Sequence, residues 1–406
     1  MKIRIVIVEN TMHILFFTYD IPYPPNSGGK TRAFNLLKYA KHNADVSLFS
    51  FNRDGYDLTG LDELKKIGIK AIELFPRRKV RDIRHIRSLI SKHHSIFYSL
   101  YYDKEIHKSL LSYVKEKHID LVHFESFYTG FYASEDLRGM SVKQVYGSEN
   151  IEYKLYEEGL AMTSPFLRPL LKRESTKIKK EEIAMVNAAD STLAVTRKET
   201  NYFKSHTKKP VYVIENGVSV ENFPEIPGKK HDKLKLLFIG NFTYFPNIDG
   251  LRYFMKEVWN YLDTSAYHLT VVGKNVHALP FLNDKIEKID YIADIYDAYA
   301  GSDVFISPMR YGGGTNFKVL EAMAAGLPVV ALSQKINEYG FTDGKDVLVA
   351  NTGKEFMQKL VLLRNDKTLR SSIGKNARTF VFIHFSWDKI GKKLYNIWRG
   401  LVNEAN

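Results

Sequence analysis

Strand-length apolar runs alternate with longer stretches of helical period, and the pattern occurs twice along this chain. His13–Tyr19, Asp45–Phe51, Lys70–Phe75, Leu121–Phe124, Val142–Tyr146 and Thr192–Val195 read as strands, with Thr31–Lys41 and His107–Lys117 as helices among them. The pattern restarts with Leu234–Gly240, His268–Gly273, Val304–Ser307, Pro328–Leu332 and Val347–Ala350. Such alternation predicts an α/β fold of parallel β-α-β units, with helices on both faces of each sheet. With 406 residues and 44% hydrophobic content, the chain can fill two cores, since single cores stop growing near about 250–300 residues. The Asn216-Gly217 pair is turn chemistry between the two series, where φ > 0 is easily adopted. The expected domains are therefore 1–217, with its core beginning at Met12, and 218–385. A last segment, 386–406, starts at a capping Ser386 and carries a stripe of Ile390, Leu394, Ile397, Trp398 and Leu401, so it must dock on a neighbour. The first eleven residues read as an extension whose apolar part is too short for a secretory signal.

Composition excludes several classes. There are no cysteines, which removes disulfide frameworks, thiolate metal sites and cysteine nucleophiles. No apolar stretch approaches the roughly 18 residues of a membrane span. The 59 Lys+Arg against 46 Asp+Glu give a net charge of +13, which calls for an anionic partner. That charge is shared almost evenly by the two halves of the chain, so neither half is a basic arm. No recognised nucleic-acid motif accompanies it, and nucleic acid is not expected as a partner.

Two loops carry candidate chemistry. After the first strand, PYPPNSGGKTRAFNLL places Gly28-Gly29 at the start of a helix, whose N-terminus suits a phosphate. A turn into a helix explains these glycines about as well. Gly29-Lys30-Thr31 ends like a nucleotide-triphosphate loop, but Pro24 stands where that motif needs its first glycine. The second loop is richer. Val304–Pro308 leads into MRYGGGT, and Gly312, Gly313 and Gly314 precede Thr315, the expected N-cap of a helix. Asn316 then offers a free N–H, and Lys318 lies in the first turn, against the helix dipole unless an anion binds there. Glu321, one turn on, can accept two hydrogen bonds from a ribose diol.

GGGTNFKVLEAMAAGLPVV (312–330) resembles the donor-binding signature of family-4 retaining glycosyltransferases of the GT-B fold. The likeness extends to the PPNSGGKTRAFNLL loop, ENIE (149–152), ENGV (215–218), FIGNFTYFPNIDGL (238–251), YDAYAGSDVFISP (296–308) and the FSW before the last helix. It implies two Rossmann-like domains facing across a cleft, with the last helix crossing back to the first domain. It also implies an enzyme, a hexosyltransferase type that retains anomeric configuration and moves a sugar from a UDP- or GDP-linked donor to a glycan or lipid-linked acceptor. The pathway implied is cell-surface polysaccharide or glycolipid synthesis. No cofactor is implied beyond the nucleotide-sugar itself, and the location implied is cytoplasmic, with the inner face of the plasma membrane as a peripheral site. By the same resemblance Glu321 holds the ribose, Gly313–Asn316 and Lys318 contact diphosphate and sugar, Gly28-Gly29 approach the diphosphate, and Tyr291–Ile292 hold the base.

Departures from the family pattern redistribute these roles. Gly313 stands where members often have a glutamate contacting the donor sugar. The stretch from Asn241 to Asn247 lacks the usual Arg and Lys, so Lys318 and Arg310 would have to balance the phosphates, with Asn241 at the loop. The family histidine near the donor sugar aligns with Glu125 in VHFES, and His123 lies two residues away on the same side of a strand. The chain has no Asp-x-Asp and no His-Glu-x-x-His, so no metal is expected. Two other readings stay open: a non-catalytic GT-B partner subunit, and a GT-B nucleotide-sugar epimerase. The basic run Arg77–Lys92 is amphipathic if helical. It is either an ordinary surface helix or, over 77–94, a contact for anionic membrane.

Overall fold

The computed structural model describes residues 11–41, 44–52, 59–78, 88, 91–160, 163–225, 232–311, 316–336 and 339–404. Contacts divide the chain into two units, Met1–Glu215 with Asp388–Asn406, and Asn216–Trp387.

The first unit is built on a parallel sheet of β1 (Met12–Thr18), β2 (Ala44–Asn52), β3 (Ala71–Pro76), β4 (Leu121–Glu125), β5 (Lys143–Gly147), β6 (Ser191–Ala194) and β7 (Val211–Val213), in the order β3-β2-β1-β4-β5-β6-β7. Strand β1 is central, with Ile14 opposite Leu121 and Thr18 opposite Glu125. Its Ile14, Leu15, Phe16 and Phe17 are all fully buried, as a strand covered on both faces requires. One face is an aromatic core in which Phe17 meets Phe49, Phe51, Phe75, Phe124 and Tyr132 at centroid distances from 5.1 to 6.4 Å. Such pairs contribute roughly 0.5–1.5 kcal/mol each beyond the area they bury.

The helix after β1 runs Gly28–Ala40. It begins three residues before the expected Thr31, because extended Ser27 already supplies the carbonyl that accepts the Thr31 N–H at 2.8 Å.

The last helix, Trp387–Asn403, packs from Asp388 onward within this first unit. Ile390, Leu394, Trp398 and Leu401 are buried, and a Cβ on Gly391 would lie 2.5 Å from the Tyr39 side chain, so two helices touch closely there. Ile397 departs from the expected stripe. It is half-buried and borders an open groove beside Tyr212 of the edge strand β7.

The second unit holds β8 (Leu234–Ile239), β9 (Tyr267–Val272), β10 (Glu287–Ile289), β11 (Val304–Ser307), β12 (Val329–Leu332) and β13 (Leu348–Ala350). All are parallel, in the order β10-β9-β8-β11-β12-β13. Both faces are buried, and strand alternation assigns their residues. Leu236, Phe238, Val304 and Ile306 enter one core, Leu237 and Phe305 the other. Each unit is thus a Rossmann-like domain. No helix among the described residues is long and apolar enough to cross a membrane.

Candidate functional site

In open parallel sheets, ligands bind beyond the carboxyl ends of the strands where the strand order reverses. Those points lie between β1 and β4 in the first unit and between β8 and β11 in the second. Most of the described candidate residues fall at these two places, whereas Tyr291 and Ile292 follow the edge strand β10.

In the second unit, β11 leads through the expected glycine loop to the helix Phe317–Ala324. Gly312, Gly313, Gly314 and Thr315 lie outside the described residues. The N-cap is Asn316 rather than the expected Thr315, and it makes no side-chain cap bond. Its N–H is not free as expected but donates to the Tyr339 hydroxyl at 2.5 Å, its Nδ2 donates to Ser307 Oγ at 3.3 Å, and its buried Oδ1 has no partner among the described residues. Lys318 Nζ donates to Asn247 Oδ1 at 2.6 Å and lies 5.4 Å from the centre of the Phe238 ring. Burial pulls this ammonium down to about 8, while Glu321 acts in the opposite sense. Glu321 is raised by burial, against a hydrogen bond from Tyr299 and the charge of Lys318. The fully buried Tyr299 hydroxyl donates to Glu321 Oε2 at 2.8 Å and fixes the carboxylate one turn below Lys318.

The loop after β8 joins the same group. The Asn241 carbonyl accepts from Asn247 Nδ2 at 2.8 Å, and Asn241 Oδ1 accepts from the N–H and hydroxyl of Thr243. Asn247 therefore bridges the two loops of the switch point. Arg310 does not stand ready for a phosphate as expected. It forms a fork with Asp249, Nη2 to Oδ1 at 2.6 Å and Nε to Oδ2 at 3.0 Å, and lies over Tyr253 and Tyr311. The hydrogen bond to Asp249 raises its pKa further, so its charge is balanced inside the unit. Tyr291 is exposed and Ile292 half-buried, just before the helix Ile295–Ala300.

In the first unit, His123 and Glu125 are fully buried on one side of β4 and joined to each other, His123 Nε2 to Glu125 Oε2 at 2.7 Å. Arg32 Nε donates to Glu125 Oε1 at 2.6 Å, and Trp398 Nε1 donates to His123 Nδ1 at 3.1 Å. The indole fixes the tautomer. Nδ1 must accept, so Nε2 carries the proton and donates a hydrogen bond to the carboxylate. Burial lowers His123, which keeps the ring neutral, although Glu125 opposes this. Burial also pushes Glu125 up, but Arg32 and His123 outweigh it and hold the carboxyl below its usual range. Gly147 makes room for this pair, because a Cβ there would sit 2.3 Å from Glu125 Oε2. Of the three residues expected to be catalytic, Glu125, His123 and Lys318, the first two are therefore engaged inside the unit as a buried link.

Other groups lie at the carboxyl ends of these strands. Ser126, directly after β4, is held at φ +88, a conformation costing about 1–3 kcal/mol for a non-glycine residue. Its N–H donates to the Gly147 carbonyl and its Oγ accepts from the Tyr128 N–H. Gly29 is packed so closely that a Cβ would lie 2.2 Å from the Tyr19 hydroxyl and under 3 Å from both oxygens of Glu149. Burial, then Glu125, pushes Glu149 up to about 8, and its Oε1 has no partner among the described residues. Lys30 pairs with Asp20 at 3.3 Å. Among the described residues no cluster of His, Asp or Glu could hold a metal ion.

Asn247, Tyr299, Tyr339 and Glu149 were not singled out from sequence. Glu149 had a signal as the first residue of ENIE, and Asn247 and Tyr299 lie inside the quoted segments 238–251 and 296–308.

Residues 26–222 match the family described as Glycosyltransferase Family 4, and residues 233–366 match Glycosyl transferases group 1. The chain belongs to the family-4-type glycosyltransferases. The GT-B fold of this family is shared by HepE of Anabaena, whose structure was solved in complex with UDP. That structure is similar with a TM-score of 0.70 and 14% identity, over 96% of this chain and 100% of the other. Among curated relatives, an uncharacterised glycosyltransferase of Methanocaldococcus jannaschii is 25% identical over 234 residues, which is 53% of this chain and 59% of the relative. A GDP-mannose-dependent monoacylated α-(1-6)-phosphatidylinositol monomannoside mannosyltransferase of Corynebacterium glutamicum is 29% identical over 111 residues, 26% of this chain and 29% of its own length. The matches thus span less than two thirds of these curated glycosyltransferases.

Proposed function

We propose that the chain transfers a sugar from a UDP- or GDP-linked donor to a glycan or lipid-linked acceptor, with retention and without a metal, in polysaccharide or glycolipid synthesis. The grouping of Lys318, Asn316 and Glu321 at the β8–β11 switch point carries this reading. The bond between the anomeric carbon and the diphosphate oxygen breaks, and its electron pair leaves with the phosphate. Lys318 and the N–H groups at the start of its helix face that growing charge and stabilise it more than the ground state. Glu321, oriented by Tyr299, accepts from the ribose hydroxyls. The acceptor hydroxyl loses its proton to the leaving phosphate as its oxygen bonds to the same face of the sugar. Glu125 and His123 act within the first unit, as the buried link that holds its strands and helices in place. Support for the nucleotide comes from the UDP complex of HepE and the GDP-mannose dependence in the corynebacterial relative's name, which also describes a lipid-linked acceptor.

The test is a panel of UDP- and GDP-sugars with glycan and lipid acceptors, read by nucleoside diphosphate release and by the anomeric proton coupling of the product. Glu321→Ala should lose about 100-fold or more in turnover, two hydrogen bonds to the ribose at about 1.4 kcal/mol each, with circular dichroism unchanged. Near-wild-type turnover by that variant would remove the donor-site assignment, and an inverted product would remove retention.

A further inference from the structure

We propose that the Tyr339 hydroxyl stands in for the donor diphosphate, holding the Asn316 N–H in the free protein and giving it up when a nucleotide binds. On the donor-site reading above, that N–H is one of the groups a phosphate oxygen meets, and the proposal rests on that reading. The basic run Arg77–Lys92 lies almost wholly outside the described residues, whereas the helix Phe317–Ala324 is described from its N-cap onward.

A helix start needs partners for its first N–H groups, and this one supplies few of its own. Asn316 makes no side-chain cap bond, and the first turn has no acidic residue. The Asn316 side chain is directed elsewhere, with Nδ2 donating to Ser307 Oγ at 3.3 Å. Its N–H is met instead by Tyr339 Oη, 23 residues further along the chain, at 2.5 Å. Tyr339 follows β12, which pairs in parallel with β11, so the loops after both strands reach the same end of the sheet. Its ring is placed by apolar contacts. It lies nearly parallel to Phe341, 7° between planes and 5.3 Å between centroids, and 6.1 Å from Phe385. A phenylalanine would keep both contacts and lose only the oxygen.

The kind of oxygen that holds each group separates what is committed from what is exchangeable. Arg310 is held by the Asp249 carboxylate, in two hydrogen bonds, and stays inside the unit. Lys318 is held by the neutral amide oxygen of Asn247, and the Asn316 N–H by a neutral hydroxyl. Hydrogen bonds to an ionised oxygen are roughly twice as strong as those between neutral groups. A diphosphate therefore displaces the hydroxyl, while in its absence the hydroxyl spares the helix start an unmet donor. The two oxygens exclude each other, because one N–H points along one line and each must lie within about 3 Å of it. Tyr339 thus keeps the site formed and sets a threshold that a weakly accepting ligand does not pass.

The experiment is calorimetric titration of the full chain and of Tyr339→Phe with UDP, GDP, the matching nucleosides and inorganic pyrophosphate. The variant should bind the diphosphates and pyrophosphate roughly 3- to 10-fold more tightly, the worth of one neutral hydrogen bond, and the nucleosides no differently. Hydrogen exchange at the Asn316 amide should be faster in the free variant than in the free wild type, and equal in both at saturation with diphosphate. Thermal melts report whether the ring packing survives the change. Equal or weaker diphosphate binding by the variant, a gain shared by the nucleosides, or unchanged Asn316 exchange in the free variant would each overturn the proposal and leave the donor site standing. A wild type that binds neither UDP nor GDP would remove the donor-site reading, and the proposal with it.

Discussion

Lys318 sits where a cation is unwelcome, in the first turn of a helix, with burial lowering it to about 8 although the Phe238 ring beneath it favours the charge. A diphosphate bound beside it favours the charged form and restores the proton. Nucleoside diphosphate affinity should therefore weaken as pH rises through about 8, with proton uptake on binding in that range. Calorimetry in buffers of different ionisation enthalpy measures both. Lys318→Gln should weaken binding roughly 10- to 100-fold, as for a hydrogen bond to a charged group, and flatten the pH dependence. A wild-type pH profile in that variant would place the titrating group elsewhere. Arg310 is the poorer candidate, because Asp249 already takes two of its donors and balances its charge.

At the scale of elements, one buried chain of hydrogen bonds ties four segments of the first unit together. Arg32 comes from the helix after β1, His123 and Glu125 from β4, and Trp398 from the last helix, while Arg32 Nη1 donates to the Ile214 carbonyl beyond β7 at 2.9 Å. Arg32→Ala would leave the Glu125 carboxylate buried without its cation, a loss of about 3–5 kcal/mol. Trp398→Phe keeps most of the packing and removes one buried donor, a loss of about 1–2 kcal/mol. Urea denaturation orders the two, and Arg32→Met combined with Glu125→Gln should recover part of the larger loss. An Arg32→Ala protein as stable as the wild type would show that the link is not structural. The sheets could be read from sequence because both faces of each are buried, which leaves continuous apolar strands with clear ends. The glycine loop, Lys318 and Glu321 could be read because they are adjacent in the chain. Asn247 and Tyr299 could not, since their meaning comes from a partner 71 or 22 residues away. The Arg32–Glu125 pair was hidden for the same reason, and a glutamate aligned with a family histidine reads as a reacting group until its burial is seen.

At the scale of the molecule, the formal charge of +13 understates how positive the folded chain is near neutral pH. Glu149 and Glu182 are both pushed up to about 8 by burial, with Glu125 adding to the first, and Glu181 is pushed up to about 7, again by burial. The fold holds protons there that the unfolded chain, titrating near 4.5, has released. Stability contributed by such groups is lost as pH rises from the ordinary carboxylate range towards the folded value, because the native state alone must give up its protons. Three histidines act in the opposite direction. Fully buried His123 and half-buried His107 are lowered by burial, as is the more exposed His94, so their contribution is complete once pH exceeds their unfolded value of 6.5. Between pH 6.5 and about 8 the carboxyls therefore act almost unopposed, and unfolding free energy should fall by up to about 1.4 kcal/mol per pH unit for each proton held. Urea denaturation across that window measures the slope. Glu149→Gln with Glu182→Gln keeps the neutral shape of both side chains and should make the slope markedly shallower, raising stability at the alkaline end. A slope unchanged in the double variant would show that both carboxyls are ionised in the fold. The protein would then carry less positive charge to a sugar nucleotide or a lipid surface than its buried acids imply.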